Sequence, residues 1–229
     1  GIRQRMGQGQ RAPQMPDAVK AMAVLIAPID HYSDIAYRGG VLNLGSMLFW
    51  CSMMALGEQG RRLAAGQATP QAMQQQAIAL GNLAKLYEEL PLAGMAHLQG
   101  VSPHFFNWVA HPSYDDYWRG IDARHYEQID KPVLHIGGWY DIFLNGTLQS
   151  YMGMRARAKS ATARQRQKLV VGPWAHGTNW TSSYYELELG LHASGDAAGL
   201  AALQLRWMDR WVKGIENGIE QEKPVRIFV

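Results

Sequence analysis

The chain has 229 residues, room for one domain with an insertion or about one and a half ordinary domains. Apolar residues make up 47%, charged residues 18%, and there are eight tryptophans, so a sizeable core can form as in a soluble globular protein. A net charge of +3 is small for this length, and the basic residues gather at 155–168 among Ala and Gln like a solvated helix face, which argues against nucleic-acid binding. No run of 18 apolar residues occurs, hence no membrane-spanning helix is expected. The single cysteine, Cys51, excludes an internal disulfide and leaves the redox compartment undecided. Gly1-Ile2-Arg3-Gln4-Arg5 is not a signal peptide, and localisation, cytoplasmic or secreted, stays open.

Residues 1–16 are polar and Gly/Gln/Arg-rich, and read as the frayed remainder of a helix. The apolar run within Ala18–Pro28, interrupted by Lys20 and closed by Pro28, predicts a buried strand, with Asp30–Asp34 as a loop at its carboxyl end. After Gly39-Gly40 the pattern turns helical and rich in Met, Leu and Ala, through Leu98. Gln71–Leu90 reads as one long helix, with Met73, Ala77, Leu80, Leu83, Ala84 and Leu86 near a period of 3.6. This block contributes no strand and interrupts a strand–helix alternation, as a helical cap inserted into a sheet would. Its Met stripe reads as core, with a substrate-cleft lining as the sharper alternative. The aromatic stretch of Phe105, Phe106, Trp108 and His111–Arg119 either returns the chain to the sheet or forms a pocket wall.

The most informative stretch follows. Val133, Leu134 and Ile136, and then Leu169, Val170 and Val171, are apolar runs of the kind found in parallel strands covered on both faces. Between them, Asn145 to about Lys159 has helical composition, completing a βαβ unit. Each strand runs into a Gly-containing turn bearing one polar residue, Asp141 in the first and His176 in the second. That order matches the last two members of the Ser…Asp…His sequence of α/β-hydrolases. No serine in the chain has Gly at both −2 and +2, as a nucleophile elbow requires, so the chain reads as a piece of a longer protein. His135 alternates with apolar neighbours and reads as a hydrogen-bonded core histidine. The other histidines show no paired spacing, so neither a metal nor a cofactor is expected.

Beyond a Gly/Ser/Thr/Tyr loop at 177–186, Asp196–Lys213 carries the buried stripe Leu200, Leu203, Trp207, Met208 and Trp211 of an amphipathic helix. Gly214 follows as its C-cap, and Pro224–Val229 begins a new strand. The expected fold is α/β: the C-terminal part of an α/β-hydrolase parallel sheet with an inserted helical cap, incomplete at both ends. Its domains are 1–44, the first part of the core; 45–128, the cap; and 129–229, the core carrying Asp141 and His176 and ending where a β domain begins.

Several motifs carry a resemblance. They are Lys131-Pro132-Val133 with Gly138-Trp139-Tyr140-Asp141; Val170-Val171-Gly172-Pro173-Trp174-Ala175-His176-Gly177; His111-Pro112 with Asp115, Tyr117 and Trp118; and Arg210-Trp211, Lys213-Gly214, Asn217-Gly218 and Pro224-Val225. In this order they resemble the CocE/NonD family of α/β-hydrolases, which includes esterases, acylases and Xaa-Pro dipeptidyl-peptidases. The resemblance implies that Asp141 is the triad acid and His176 the general base. It also implies a nucleophile in Gly-x-Ser-Tyr-x-Gly just before Gly1, with Gly1-Ile2-Arg3-Gln4 opening the helix that follows, although 1–16 is more Gly/Gln-rich than that helix usually is. A C-terminal jelly roll would begin near Pro224. Trp139, Tyr140 and Trp174 are candidates for substrate binding, with packing as the competing role. Asp115 and Asp116 are candidates for holding a substrate ammonium, with a helix cap or surface pair competing. The expected substrate is a small ester, an amide or a short peptide; nucleic acid and membrane are not expected partners, and self-association stays open. An esterase or acylase, an Xaa-Pro dipeptidyl-peptidase and a non-catalytic binding homologue are the functions to separate.

Overall fold

The computed structural model describes residues 16–177, 181–184 and 186–229; the reading of 1–15 as a helix remnant lies outside them. In chain order the principal elements are β1 (Met22–Leu25), α1 (Leu44–Ala64), α2 (Pro70–Gly81), α3 (Pro103–Ala110), β2 (Val133–Tyr140), α4 (Leu144–Arg157), β3 (Gln167–Ala175), α5 (Leu200–Trp211) and β4 (Val225–Ile227). They form two compact units. One joins the described residues up to Asp30 with those of 122–229, and the other is His31–Ile121.

The first unit is built on a parallel sheet of order β1-β2-β3-β4. A parallel sheet must be covered on both faces, and period-two alternation sorts the side chains accordingly. Leu134 and Ile136 of β2, with Val170 and Trp174 of β3, pack on Leu200, Leu203 and Trp207 of α5. On alternate positions, Leu169 and Val171 pack with Tyr151 of α4, and Val133 packs with Tyr126 and Met154. Each such side chain contributes about 1.5–3 kcal/mol when fully buried. Trp207 Nε1 also donates to Met22 O at 2.9 Å, tying α5 to the edge strand. Gly153 sits inside α4, where glycine costs about 1 kcal/mol relative to alanine. A Cβ there would fall 2.3 Å from the Tyr126 ring, so glycine is what lets that ring lie against the helix.

The strand expected over 18–28 is confined to Met22–Leu25, because Ile26 turns out of it at φ +50°. That conformation is rare for a β-branched residue and ends a ladder. Residues His31–Ala36, expected partly as loop, form a short π-helical stretch. Within 177–186 lies the start of a small hairpin, Ser183–Tyr184 with Leu187–Glu188, where only a loop was expected.

The second unit is helical. Met47, Leu48, Cys51 and Ala55 of α1 form its core with Leu98, Phe105, Trp108 and Trp118. Its limits, His31 and Ile121, fall earlier than the 45 and 128 read from composition. Gly39-Gly40, after which the pattern turns helical, is the turn of a two-stranded hairpin, Tyr37–Arg38 with Val41–Leu42, inside this unit. The long helix expected over 71–90 stops at Gly81, and a separate turn covers Leu83–Leu86. Gly81 and Asn82 are poor helix formers placed together, and the break follows from them. The stripe expected to be buried on α2 is not: its one buried residue is Gln76, which donates to Ser52 O at 3.3 Å. The methionines divide, with Met47 and Met95 in the core and Met53 and Met54 exposed on α1.

Candidate active site

The carboxyl ends of β2 and β3 deliver Asp141 and His176 side by side. Their alignment depends on a one-residue irregularity. Gly138 pairs with Gly172, but Tyr140 pairs with Ala175, so β3 carries one residue more than β2 in this interval. Without that bulge Asp141 would lie level with Ala175; with it, Asp141 lies level with His176. Pro173, which has no N–H for a ladder, sits within the bulged stretch. Gly138 makes room for it: a Cβ there would fall 2.1 Å from the Trp174 carbonyl oxygen. The indole of Trp174 in turn folds over Gly172, whose Cβ would meet the ring at 2.2 Å. The two Gly-containing motifs are therefore one interlocked structure.

Asp141 has a buried carboxylate, with a side chain 1% exposed, and both oxygens are used. Oδ1 accepts from Phe143 N at 2.6 Å, closing the turn that leads into α4. Oδ2 accepts from His176 Nδ1 at 3.0 Å. The structural role of a turn-forming Asp and the contact to the histidine thus coexist on separate oxygens. The His176 ring is 49% exposed, and the Phe143 ring meets it edge to face at 5.0 Å. Among the described residues Nε2 has no hydrogen-bond partner. A proton on Nδ1, donated to Asp141, leaves Nε2 with its lone pair directed away from the carboxylate, the form a general base needs.

Trp139 and Tyr140 are also at this strand end, 41% and 52% exposed. Trp139 Nε1 donates to Phe228 O at 2.9 Å, and Tyr140 lies 6.1 Å from Tyr184. Trp174 is not at the surface: it is 1% exposed, packs with Leu134 and Ile136, and donates to Ala193 O at 2.7 Å. It shapes the bulge from within and is not available to a substrate. Asp115 and Asp116 belong to the helical unit. Asp115 caps a helical turn through Tyr117 N and holds His111 Nδ1 at 2.6 Å, which draws its carboxyl below the usual range. Asp116 pairs with Arg119 at 2.5 Å. Both are engaged as cap and surface pair. His135 is a core histidine, bonded through Nε2 to Gln167 Oε1 at 3.0 Å, and burial pushes its pKa down to about 4.

Other nucleophile–histidine contacts are sealed. Ser52 lies 3.1 Å from His97 and Ser102 3.1 Å from His104, but both serines are fully buried, and burial lowers the pKa of both imidazoles. Burial also pushes the Cys51 thiol up to about 12, so it is no thiolate nucleophile. Among the described residues no three His, Cys, Asp or Glu side chains gather as a metal site. The reading of the sequence missed Phe143, the bulge and the steric role of Gly138 in it. A proline inside a strand run was the available sign of the bulge.

Known proteins resemble the chain over most of its length. Residues 6–178 match the profile of the X-Pro dipeptidyl-peptidase (S15) family. Cocaine esterase of Rhodococcus sp. (strain MB1 Bresler) is 27% identical over 227 residues, covering 97% of this chain. The chain spans only 38% of that relative's length. Among solved structures, a CocE/NonD family hydrolase from Staphylococcus aureus superposes with a TM-score of 0.53 at 16% identity, over 91% of this chain and 27% of the other. An aminopeptidase from a marine sediment Thaumarchaeota archaeon gives 0.53 at 18% identity, over 87% of this chain and 32% of the other. These two share the fold. By its profile match, the chain belongs to the X-Pro dipeptidyl-peptidase (S15) family.

Proposed function

We propose that this chain supplies the acid and base of a serine hydrolase that cleaves esters or acyl-amides. The observation that carries the reading is the His176 ring, half exposed and held through Nδ1 by a buried, doubly bonded Asp141. In the reaction His176 Nε2 takes the proton of a serine hydroxyl as that oxygen attacks the substrate carbonyl. It then gives the proton to the leaving group, and repeats both steps with water to release the acid. Asp141 keeps the imidazole in the required tautomer and stabilises its cation. The serine comes from sequence upstream of this chain. Support for that placement is the lack of any Gly-x-Ser-x-Gly in the sequence and the chain's 38% share of its esterase relative. The oxyanion donors lie with the serine, so the 229-residue chain alone is inactive. No cofactor takes part.

An ester is the favoured substrate over a dipeptide, because the curated relative that matches over 97% of this chain is a cocaine esterase. The dipeptidyl-peptidase reading rests on the family description. The intact Asp141–His176 pair speaks against a non-catalytic homologue. The test is hydrolysis of an aryl ester and of a Gly-Pro anilide by the protein extended through its upstream coding sequence. The ester should turn over faster, and His176→Ala should lower kcat at least about 1,000-fold. Preference for the anilide would move the peptidase reading forward, and unchanged turnover in His176→Ala would remove His176 from the mechanism.

A further inference from the structure

Trp139 is an exposed aromatic two residues before Asp141, a position that invites assignment as a substrate contact. Its hydrogen bonding points elsewhere. An indole has a single donor and no acceptor, and here that donor is used by Phe228 O. Phe228 follows β4, and its own N–H donates to Val171 O at 2.9 Å. Because β3 lies between β2 and β4 in the sheet, and neighbouring strands are about 4.8 Å apart, the indole spans roughly 10 Å across the end of β3. It does so where Trp139 itself falls inside the irregular interval between Gly138 and Tyr140, opposite the extra residue of β3. The bulge is thus held on one strand by the close approach of Gly138 to Trp174 O, and bridged across by Trp139 to the residue that pins Val171.

We propose that Trp139 is a positioning residue: its indole, bonded to Phe228 O across β3, locks the bulge that sets His176 level with Asp141. The inference rests on the reading of Asp141 and His176 as acid and base, but it makes a geometric claim that can be tested without turnover. Bulges beside active sites commonly re-aim a side chain, and a displacement of about 1 Å at the reacting groups costs up to about 100-fold in rate.

The test uses the protein extended through its upstream coding sequence, with Trp139→Phe and with benzothienylalanine at position 139. The second keeps the bicyclic shape and replaces the N–H by sulfur, so it reports on the hydrogen bond if the Phe variant folds poorly. Two quantities are read: the downfield Nδ1–H proton signal of His176, assigned by its absence in His176→Ala, and the separate kcat and KM for an aryl ester. The proposal expects both variants to broaden or lose the Nδ1–H signal. It also expects kcat to fall about 10- to 100-fold with KM within about twofold. A raised KM with kcat and the Nδ1–H signal unchanged would overturn it and make Trp139 a substrate contact. No change in any of these would overturn it as well. Should the unsubstituted protein hydrolyse no ester, the hydrolase reading fails, and the Nδ1–H signal alone then decides for or against the lock.

Discussion

Replacing Gly138 by alanine puts a methyl carbon 2.1 Å from the Trp174 carbonyl oxygen and 2.7 Å from its carbonyl carbon. Both are backbone atoms, so no rotamer change relieves the contact, and an ordinary separation requires the strand ends to part by roughly 1 Å. Two effects follow. Overpacking of this kind costs about 1–3 kcal/mol, which for a chain of this size lowers Tm by several degrees. The same displacement stretches the Asp141–His176 contact from 3.0 Å to roughly 4 Å, beyond hydrogen-bond range. Loss of that contact should lower kcat for an ester by about 100-fold or more in the protein extended through its upstream sequence. Thermal unfolding and steady-state kinetics of Gly138→Ala read the two effects separately. Gly45→Ala, at a helical position where an added Cβ meets nothing within 4 Å, is the control for adding a methyl group. A Gly138→Ala protein with unchanged kcat and an intact His176 Nδ1–H signal would refute the dependence of the pair on the bulge.

Other outcomes follow from the same contacts. Asp141→Asn keeps an oxygen for Phe143 N but places an amide against His176 Nδ1, so kcat should fall about 10,000-fold with Tm changed little; an equally large loss of Tm would mean that the turn, not the imidazole, is what fails. Gly153→Ala should destabilise by about 1–3 kcal/mol despite its better helix propensity, because the methyl meets the Tyr126 ring; a stabilised protein by calorimetry would contradict that packing. His135 is neutral in the fold, its pKa pushed from 6.5 to about 4 by burial. The unfolded chain therefore binds the extra proton between these values, and stability falls as pH drops from 6.5 towards 4. The shift corresponds to about 3 kcal/mol. Urea unfolding at pH 7 and pH 4.5 should show a smaller loss for a folded His135→Gln protein than for the unsubstituted one; parallel losses would exclude His135 as the source.

The parallel sheet and the pairing of Asp141 with His176 were legible because each strand is an unbroken apolar run ending in glycine and one polar residue. Such runs have few alternatives when both faces must be covered. The alternation of Leu134 and Ile136 with His135 even identified the core histidine. The helical unit was less legible, for physical reasons. Gln76 lies at the buried position of α2 while Ala77 is exposed, so the apolar pattern there misreports the packed face. Gly39-Gly40 marks a break in the sequence pattern without revealing that it is a hairpin turn. The difference is made by the pairing of Tyr37 with Leu42, which involves only two residues per strand. Trp174 looked equivalent to Trp139 and Tyr140, since motif spacing carries no information about which side of the sheet a bulge directs a side chain. Neither did the sequence distinguish an Asp that caps a turn from one that holds a histidine. Asp141 does both, with different oxygens.

The central claim is that Asp141 and His176 serve a serine lying outside this chain. Labelling by a fluorophosphonate, with the modified residue located by mass spectrometry, tests it most directly. The measurement is made on the 229-residue chain and on the protein extended through its upstream coding sequence. The account predicts no label on the first, one labelled serine upstream of Gly1 on the second, and loss of that label in His176→Ala. Label on a serine within the 229 residues, or no label on either folded protein, would contradict it.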